Sequence, residues 1–176
     1  MKTLNTQAIR TLALASAAAA ALFSGTASHA ATAVDNLAVS ATVSANCTIA
    51  TGALAFGAYD PISANASADL DATGTVTVTC TDGAAVAITL GQGLNADTGS
   101  TDTAPLRRLS DGTNHLAYSL FSDSGHTTVW GNDATVDVET TGTGAAEEHT
   151  VYGRITAAQN VPAGSYTDTV VATVTF

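Results

Sequence analysis

Lysine is nearly missing from this chain, and proline, methionine and cysteine are scarce. Of 176 residues, 11% are charged and 5% aromatic; three are Pro, two Cys and one Met. Each scarcity excludes something. Five Lys and Arg against fifteen Asp and Glu give a formal charge of −10, which leaves no basic footprint for nucleic acid or anionic lipid. Two cysteines are too few for a disulfide-dense small scaffold. No run beyond the first thirty residues approaches the ~18 apolar residues that suggest a membrane helix. Low charge does not here mean disorder, because 45% of the residues are hydrophobic and can fill a core. The length suits one ordinary domain. Ala, Thr, Val and Gly take up the remainder, and their placement carries the information.

Residues 1–30 read as a secretory signal peptide. Lys2 and Arg10 give a positive start, Leu12 to Phe23 an Ala/Leu run too short for a comfortable membrane span, and Ser28-His29-Ala30 small residues at −3 and −1 of a cleavage site. Cleavage would leave 146 residues with Arg107, Arg108 and Arg154 as the only Lys or Arg. Against fifteen carboxylates that is a net charge of −12. Export also places Cys47 and Cys80 in an oxidising compartment, where they are expected to bond to each other. No stable membrane insertion is expected afterwards.

The period along the remaining chain is two. Thr75 to Thr81 alternates strictly, with Val76, Val78 and Cys80 on one face and Thr on the other, the mark of a half-buried strand. Val86, Ile88 and Leu90 repeat it, as do Leu116, Tyr118 and Leu120, then Val151, Gly153 and Ile155. The last run sets Val170, Ala172, Val174 and Phe176 against Thr169, Val171, Thr173 and Thr175. A shorter run surrounds Cys47 and Ile49, with Leu54 and Phe56 after Gly52; pieces at Val129-Trp130 and Val136/Val138 add to the set. Turn residues fill 57–74, 91–105, 111–112, 123–125, 132–133, 142–144 and 162–164. The pattern predicts an all-β sandwich, with 57–74 and 91–105 as crossovers between its sheets.

Catalytic and metal constellations are weak. His115, His126 and His149 stand apart without ligand spacing, and no GxSxG elbow accompanies Ser119, Ser122 and Ser124. Asp69-Leu70-Asp71 and the Asp97–Asp102 loop lack EF-hand spacing and read as solvated acids. Trp130 with Tyr118 and Tyr152 allows a sugar-stacking platform, against the commoner fate of a core Trp. Arg107-Arg108 read as an ordinary surface pair or an intermolecular salt bridge, and Arg154 as exposed. No enzyme, cofactor or metal is expected.

The two ends do not balance. Residues 33–43 alternate again, with Leu37, Val39, Ala41 and Val43 on one face and a three-residue link to Cys47. The strongest strand reaches Phe176. An immunoglobulin-like path needs about seven strands, and six main candidates follow Ala45, so the last one is expected to be missing. Its absence would leave a groove edged by Val170, Ala172, Val174 and Phe176. An alternating extension from a neighbouring copy could fill that groove, and because the contact is head-to-tail it would build a filament. The rival reading is a monomeric binding module in which 34–43 folds back on its own domain and a loop face near Trp130 binds glycan.

The order of the pieces is also informative: Cys47-Thr48-Ile49, Leu54-Ala55-Phe56-Gly57-Ala58-Tyr59, Val76-Thr77-Val78-Thr79-Cys80, Leu106-Arg107-Arg108-Leu109, Leu116-Ala117-Tyr118-Ser119-Leu120-Phe121, Val151-Tyr152-Gly153-Arg154-Ile155, and Gly164-Ser165-Tyr166 through Phe176. Together they resemble the spore coat protein U domain, as found in subunits of archaic chaperone–usher pili, over nearly all of 34–176. The resemblance implies an incomplete immunoglobulin-like pilin, a periplasmic chaperone that lends a strand, and an outer-membrane usher. It implies surface fibres used in attachment and biofilm formation. It makes 31–44 the donor-strand extension, 45–176 the sandwich and Cys47–Cys80 the family disulfide. Spore-coat-type structural proteins share the domain.

Overall fold

The fold is taken from a computed structural model, which describes residues 29–176; the expected signal peptide lies, except for its last two residues, outside them. The chain divides into a unit ending at Ser40 and a second from Ala41 to Phe176. In the first, the described residues form no regular secondary structure and are exposed.

The second unit is built from eight strands: β1 Cys47–Gly52, β2 Leu70–Cys80, β3 Ala85–Leu90, β4 Arg107–Ser110, β5 His115–Phe121, β6 Val138–Thr141, β7 Ala146–Ile155 and β8 Ala172–Thr175. Five form one sheet in the order β1-β2-β7-β5-β4, and three form the other as β6-β3-β8. All pairings are antiparallel. The inward faces are the predicted ones: Val76 and Val78, Ile88 and Leu90, Leu116 and Leu120, Val151 and Ile155 are buried. Their outward partners, such as Thr75, Thr77 and Thr79, keep the sheet wettable. Cys47 and Cys80 face each other in the β1–β2 ladder and are joined by a disulfide.

Set against the immunoglobulin pattern of an ABED sheet facing a CFG sheet, β1, β2, β7 and β5 stand as A, B, E and D, and β3 and β8 as C and F. Strand G would pair with the outer edge of β8. Among the described residues, no strand pairs with that edge.

Two segment expectations need correction. Residues 57–74 do not cross between sheets; the connection joins β1 and β2, neighbours in one sheet. Its second part is already strand, since β2 begins at Leu70. Asp71 and Gly74 disguised it: Asp71 sits on the outward face opposite Arg154, and Gly74 faces inward beneath Leu54. The 91–105 segment does pass from one sheet to the other. The strand expected at 167–176 is regular only over 172–175; Thr167 instead exchanges two 2.9 Å hydrogen bonds with Ser110 beyond the end of the β3–β8 ladder.

Arg107 is the largest departure. It is 1% exposed, not a surface cation. Its Nε donates to Gly91 O at 2.9 Å and its Nη2 to Leu90 O and Trp130 O, both at 2.8 Å. One guanidinium thus ties β4 to the end of β3 and to the Trp130 segment. Burial lowers its pKa to about 10. Arg108 pairs within the chain, 2.9 Å from Asp97. Arg154 grips Asp71 through two 2.7 Å hydrogen bonds, and that contact lowers the Asp71 pKa. Trp130 is buried, with Nε1 donating to Ile88 O at 2.8 Å, so it offers no stacking platform.

Candidate functional site

Along the side of the sandwich where strand G would lie runs an open apolar groove. One wall is residues 51–59, which leave the ladder after Gly52; the other is residues 160–172, leading into β8. The floor is core: Leu109, Leu116, Tyr118, Leu120, Val151 and Ile155. The wider part is a cleft of about 810 Å³. A narrower part of about 370 Å³ shares Leu54, Phe56, Leu109 and Asp168 with it and continues to Val170 and Ala172.

Both walls are fixed locally. Gly74 and Gly153 face inward on β2 and β7, and a Cβ on either would come within 2.8 Å of Leu54. The two glycines therefore make the seat on which Leu54 and Phe56 rest. Phe56 meets Tyr118 edge-on with ring centroids 5.9 Å apart. Tyr59 closes the far end of that wall: its hydroxyl donates to Thr156 O at 3.1 Å and accepts from Gln159 N at 2.9 Å.

The opposite wall presents backbone. Gly91 N donates to Val171 O at 2.8 Å and Leu94 N to Thr169 O at 3.2 Å, so the odd-numbered carbonyls turn toward β3 and the loop after it. In an antiparallel ladder the alternate residues face the other way. The N–H and C=O groups of Val170, Ala172 and Val174 therefore point to the open side. Their side chains are half-buried against the core. Phe176 departs from the row: it lies past β8 and is 52% exposed.

The predicted donor residues are all open to solvent. Leu37, Val39 and Val43 are 88%, 85% and 84% exposed, and Ala41 is exposed with them. The sequence reading did not single out Asp168, which lies in the groove's inward row and accepts from the Tyr118 hydroxyl at 2.8 Å. A carboxylate between Tyr166 and Val170 in an otherwise apolar row was its one visible signal. Burial, then the bond to Asp168, raises the Tyr118 pKa.

The remaining candidates lie elsewhere. Asp97 is taken by Arg108 and Asp102 by Gln92 Nε2 at 2.8 Å. His126 packs edge-on to Phe121 and Tyr152 with Nε2 3.7 Å from Asp71. His115 is exposed and His149 half-buried. No group of three metal-ligating side chains occurs among the described residues.

Comparison with known proteins agrees with this architecture. A chain in the crystal structure of a chaperone–tip adhesion subunit pre-assembly complex from archaic chaperone–usher Csu pili of Acinetobacter baumannii superposes with a TM-score of 0.55 at 21% identity. The match covers 77% of this chain and 40% of that one. Protein U of Myxococcus xanthus is 43% identical over 177 residues, spanning 96% of this chain and 99% of that protein. The family model for the Spore Coat Protein U domain matches residues 33–173, and the chain belongs to that family.

Proposed function

We propose that this chain is a structural subunit of a secreted surface fibre of the archaic chaperone–usher kind, joined to its neighbours by donor-strand exchange. The observation that carries the reading is the apolar groove beside the edge of β8 that pairs with no strand among the described residues. Leu37, Val39, Ala41 and Val43 of one copy enter the groove of the next, and their backbone completes the ladder on Val170, Ala172 and Val174. Phe176 extends that edge beyond β8. Burial of apolar side chains and pairing of both backbones supply the driving force. Each subunit accepts one strand and donates another, so the contact repeats without closing.

In this reading residues 1–30 are removed on export, 31–44 are the donor extension and 45–176 the sandwich. An open groove is an aggregation hazard, which gives a periplasmic chaperone its role before an outer-membrane usher releases the subunit to the fibre. The fibre stands on the cell surface and serves adhesion and biofilm formation. A spore-coat layer assembled through the same contact is the second reading, favoured by the match of residues 33–173 to the Spore Coat Protein U domain.

The test is Val39→Asp. It places an unpaired charge in the groove, at a cost of several kcal/mol. Wild-type surface extracts should give a ladder on unheated detergent gels that heating collapses to one band, and the variant should give none. Normal fibres from the variant would remove the donor assignment.

A further inference from the structure

Among the side chains lining the groove, Asp168 is the anomaly. It occupies the same inward row as Val170, Ala172 and Val174 but carries a carboxylate. The hydrogen bonds it accepts tie it to the turn behind and to the groove floor. Oδ1 accepts from Leu94 N at 3.0 Å, Asn95 N at 3.2 Å and Asn95 Nδ2 at 3.1 Å. Oδ2 accepts from the Tyr118 hydroxyl at 2.8 Å. Gly93, at φ +85°, gives the carboxylate its room, since a Cβ there would collide with Oδ2.

The position of this anchor matters because the ladder that holds the strand it leads into is short. β8 pairs with β3 over only four residues, and one side of it has no partner among the described residues. A slip by one residue would turn Thr169, Val171 and Thr173 inward and present to the open side the backbone groups that now bind β3. Two apolar walls facing each other across water also tend to close. Asp168 opposes both movements. It fixes the row one step before Val170: the turn at Leu94 and Asn95 holds the wall back, and Tyr118 on the floor sets its height.

We propose that Asp168, held by Tyr118 and the 93–95 turn, is the positioning residue of the groove, fixing which backbone edge of 168–175 an incoming strand meets. This rests on the strand-exchange reading above. Without the anchor, the groove spends most of its time slipped or closed, and only the remaining fraction takes up a strand. A bound donor restores the edge by pairing with it, so the anchor governs entry and not escape.

The experiment uses the exported full chain carrying Val39→Asp, which disables its own donor face, as the acceptor. A fluorescent synthetic peptide of residues 31–44 is the donor, and its association and dissociation rates are read separately. Tyr118→Phe, which removes one hydroxyl, should slow association about tenfold through the smaller competent fraction and leave dissociation within about twofold. Asp168→Ala should slow it further, and Asp168→Asn, which keeps an acceptor oxygen, should recover part of the loss. If Asp168→Ala does not fold, Tyr118→Phe alone decides. Equal association rates for the reference, Tyr118→Phe and Asp168→Asn proteins, with only their melting temperatures changed, would make Asp168 an ordinary structural anchor and overturn the proposal. Failure of the reference acceptor to bind the peptide would instead overturn strand exchange itself.

Discussion

Cys47 and Cys80 stand directly opposite each other in the β1–β2 ladder and are bonded, so the disulfide clamps the edge strand from which one groove wall departs. β1 is the outermost strand of its sheet and pairs only with β2 among the described residues. The bond closes a loop spanning 33 positions of sequence, which the chain-entropy model values at roughly 3–4 kcal/mol. Cys47→Ser with Cys80→Ser should lower unfolding stability by about that amount in urea titrations. It should also raise proteolysis between 47 and 59, because β1 then frays.

Arg107 makes the next prediction. Its guanidinium serves the carbonyls of Leu90, Gly91 and Trp130 at once. Arg107→Met fills similar space but leaves those carbonyls unpaired, an expected loss of about 1–3 kcal/mol in denaturant unfolding. Arg107→Lys keeps the charge without the planar fork and should recover little of it. Equal stability of all three proteins would show that the carbonyls find other partners.

These two contacts mark how far the sequence could be read. Period two located the strands around Val76, Ile88, Leu120 and Val151 because an antiparallel sandwich buries one face of each and wets the other. β4 stayed hidden because Arg107 shares its inward face with Leu109, and nothing local says that a guanidinium will be met by carbonyls from two distant segments. The outer edge of β8, without a partner strand among the described residues, followed from counting strands. The facing wall did not, because residues 53–59 lie in no ladder and are held by a seat of two glycines visible only once β2 and β7 lie side by side.

That seat is itself testable. A methyl added at residue 153 would stand about 2.8 Å from Leu54 Cδ1 and 2.9 Å from Phe56 Cζ, inside normal contact. Gly153→Ala should cost about 1–3 kcal/mol as the wall shifts, read as a lower urea midpoint. Gly83→Ala, where no neighbouring atom lies within 4 Å, controls for volume but carries positive-φ strain, so the comparison rests on binding of the 31–44 peptide. The Gly153 variant should weaken it and the Gly83 variant should not.

Tyr118 gives the fold an alkaline dependence of known sign. Burial and the bond to Asp168 raise its pKa in the folded state, while the unfolded tyrosine ionises near ~10. The stability it contributes is therefore fully present below pH ~10 and is lost as pH rises above that value, at up to about 1.4 kcal/mol per pH unit. Urea unfolding from pH 8 to 11 should show wild type declining more steeply than Tyr118→Phe. Parallel curves would mean that Tyr118 ionises alike in both states.

The last prediction concerns how copies approach one another. The three arginines after residue 30 are all engaged by their own chain: Arg107 is buried, Arg108 meets Asp97 and Arg154 holds Asp71. Against fifteen carboxylates the residues after 30 carry a net charge of −12, so two copies repel at long range. Residues 31–44, the proposed donor, add no cation, since their one charged residue is Asp35. Raising ionic strength from 0.01 to 0.15 M shortens the screening length from about 30 to about 8 Å. Strand exchange between purified subunits should then accelerate, on the order of tenfold, as followed by the growth of the heat-sensitive ladder. The apolar contact, once made, is hardly touched by salt, so dissociation should stay constant. Slower assembly at higher salt would mean that opposite charges on the two copies steer them together.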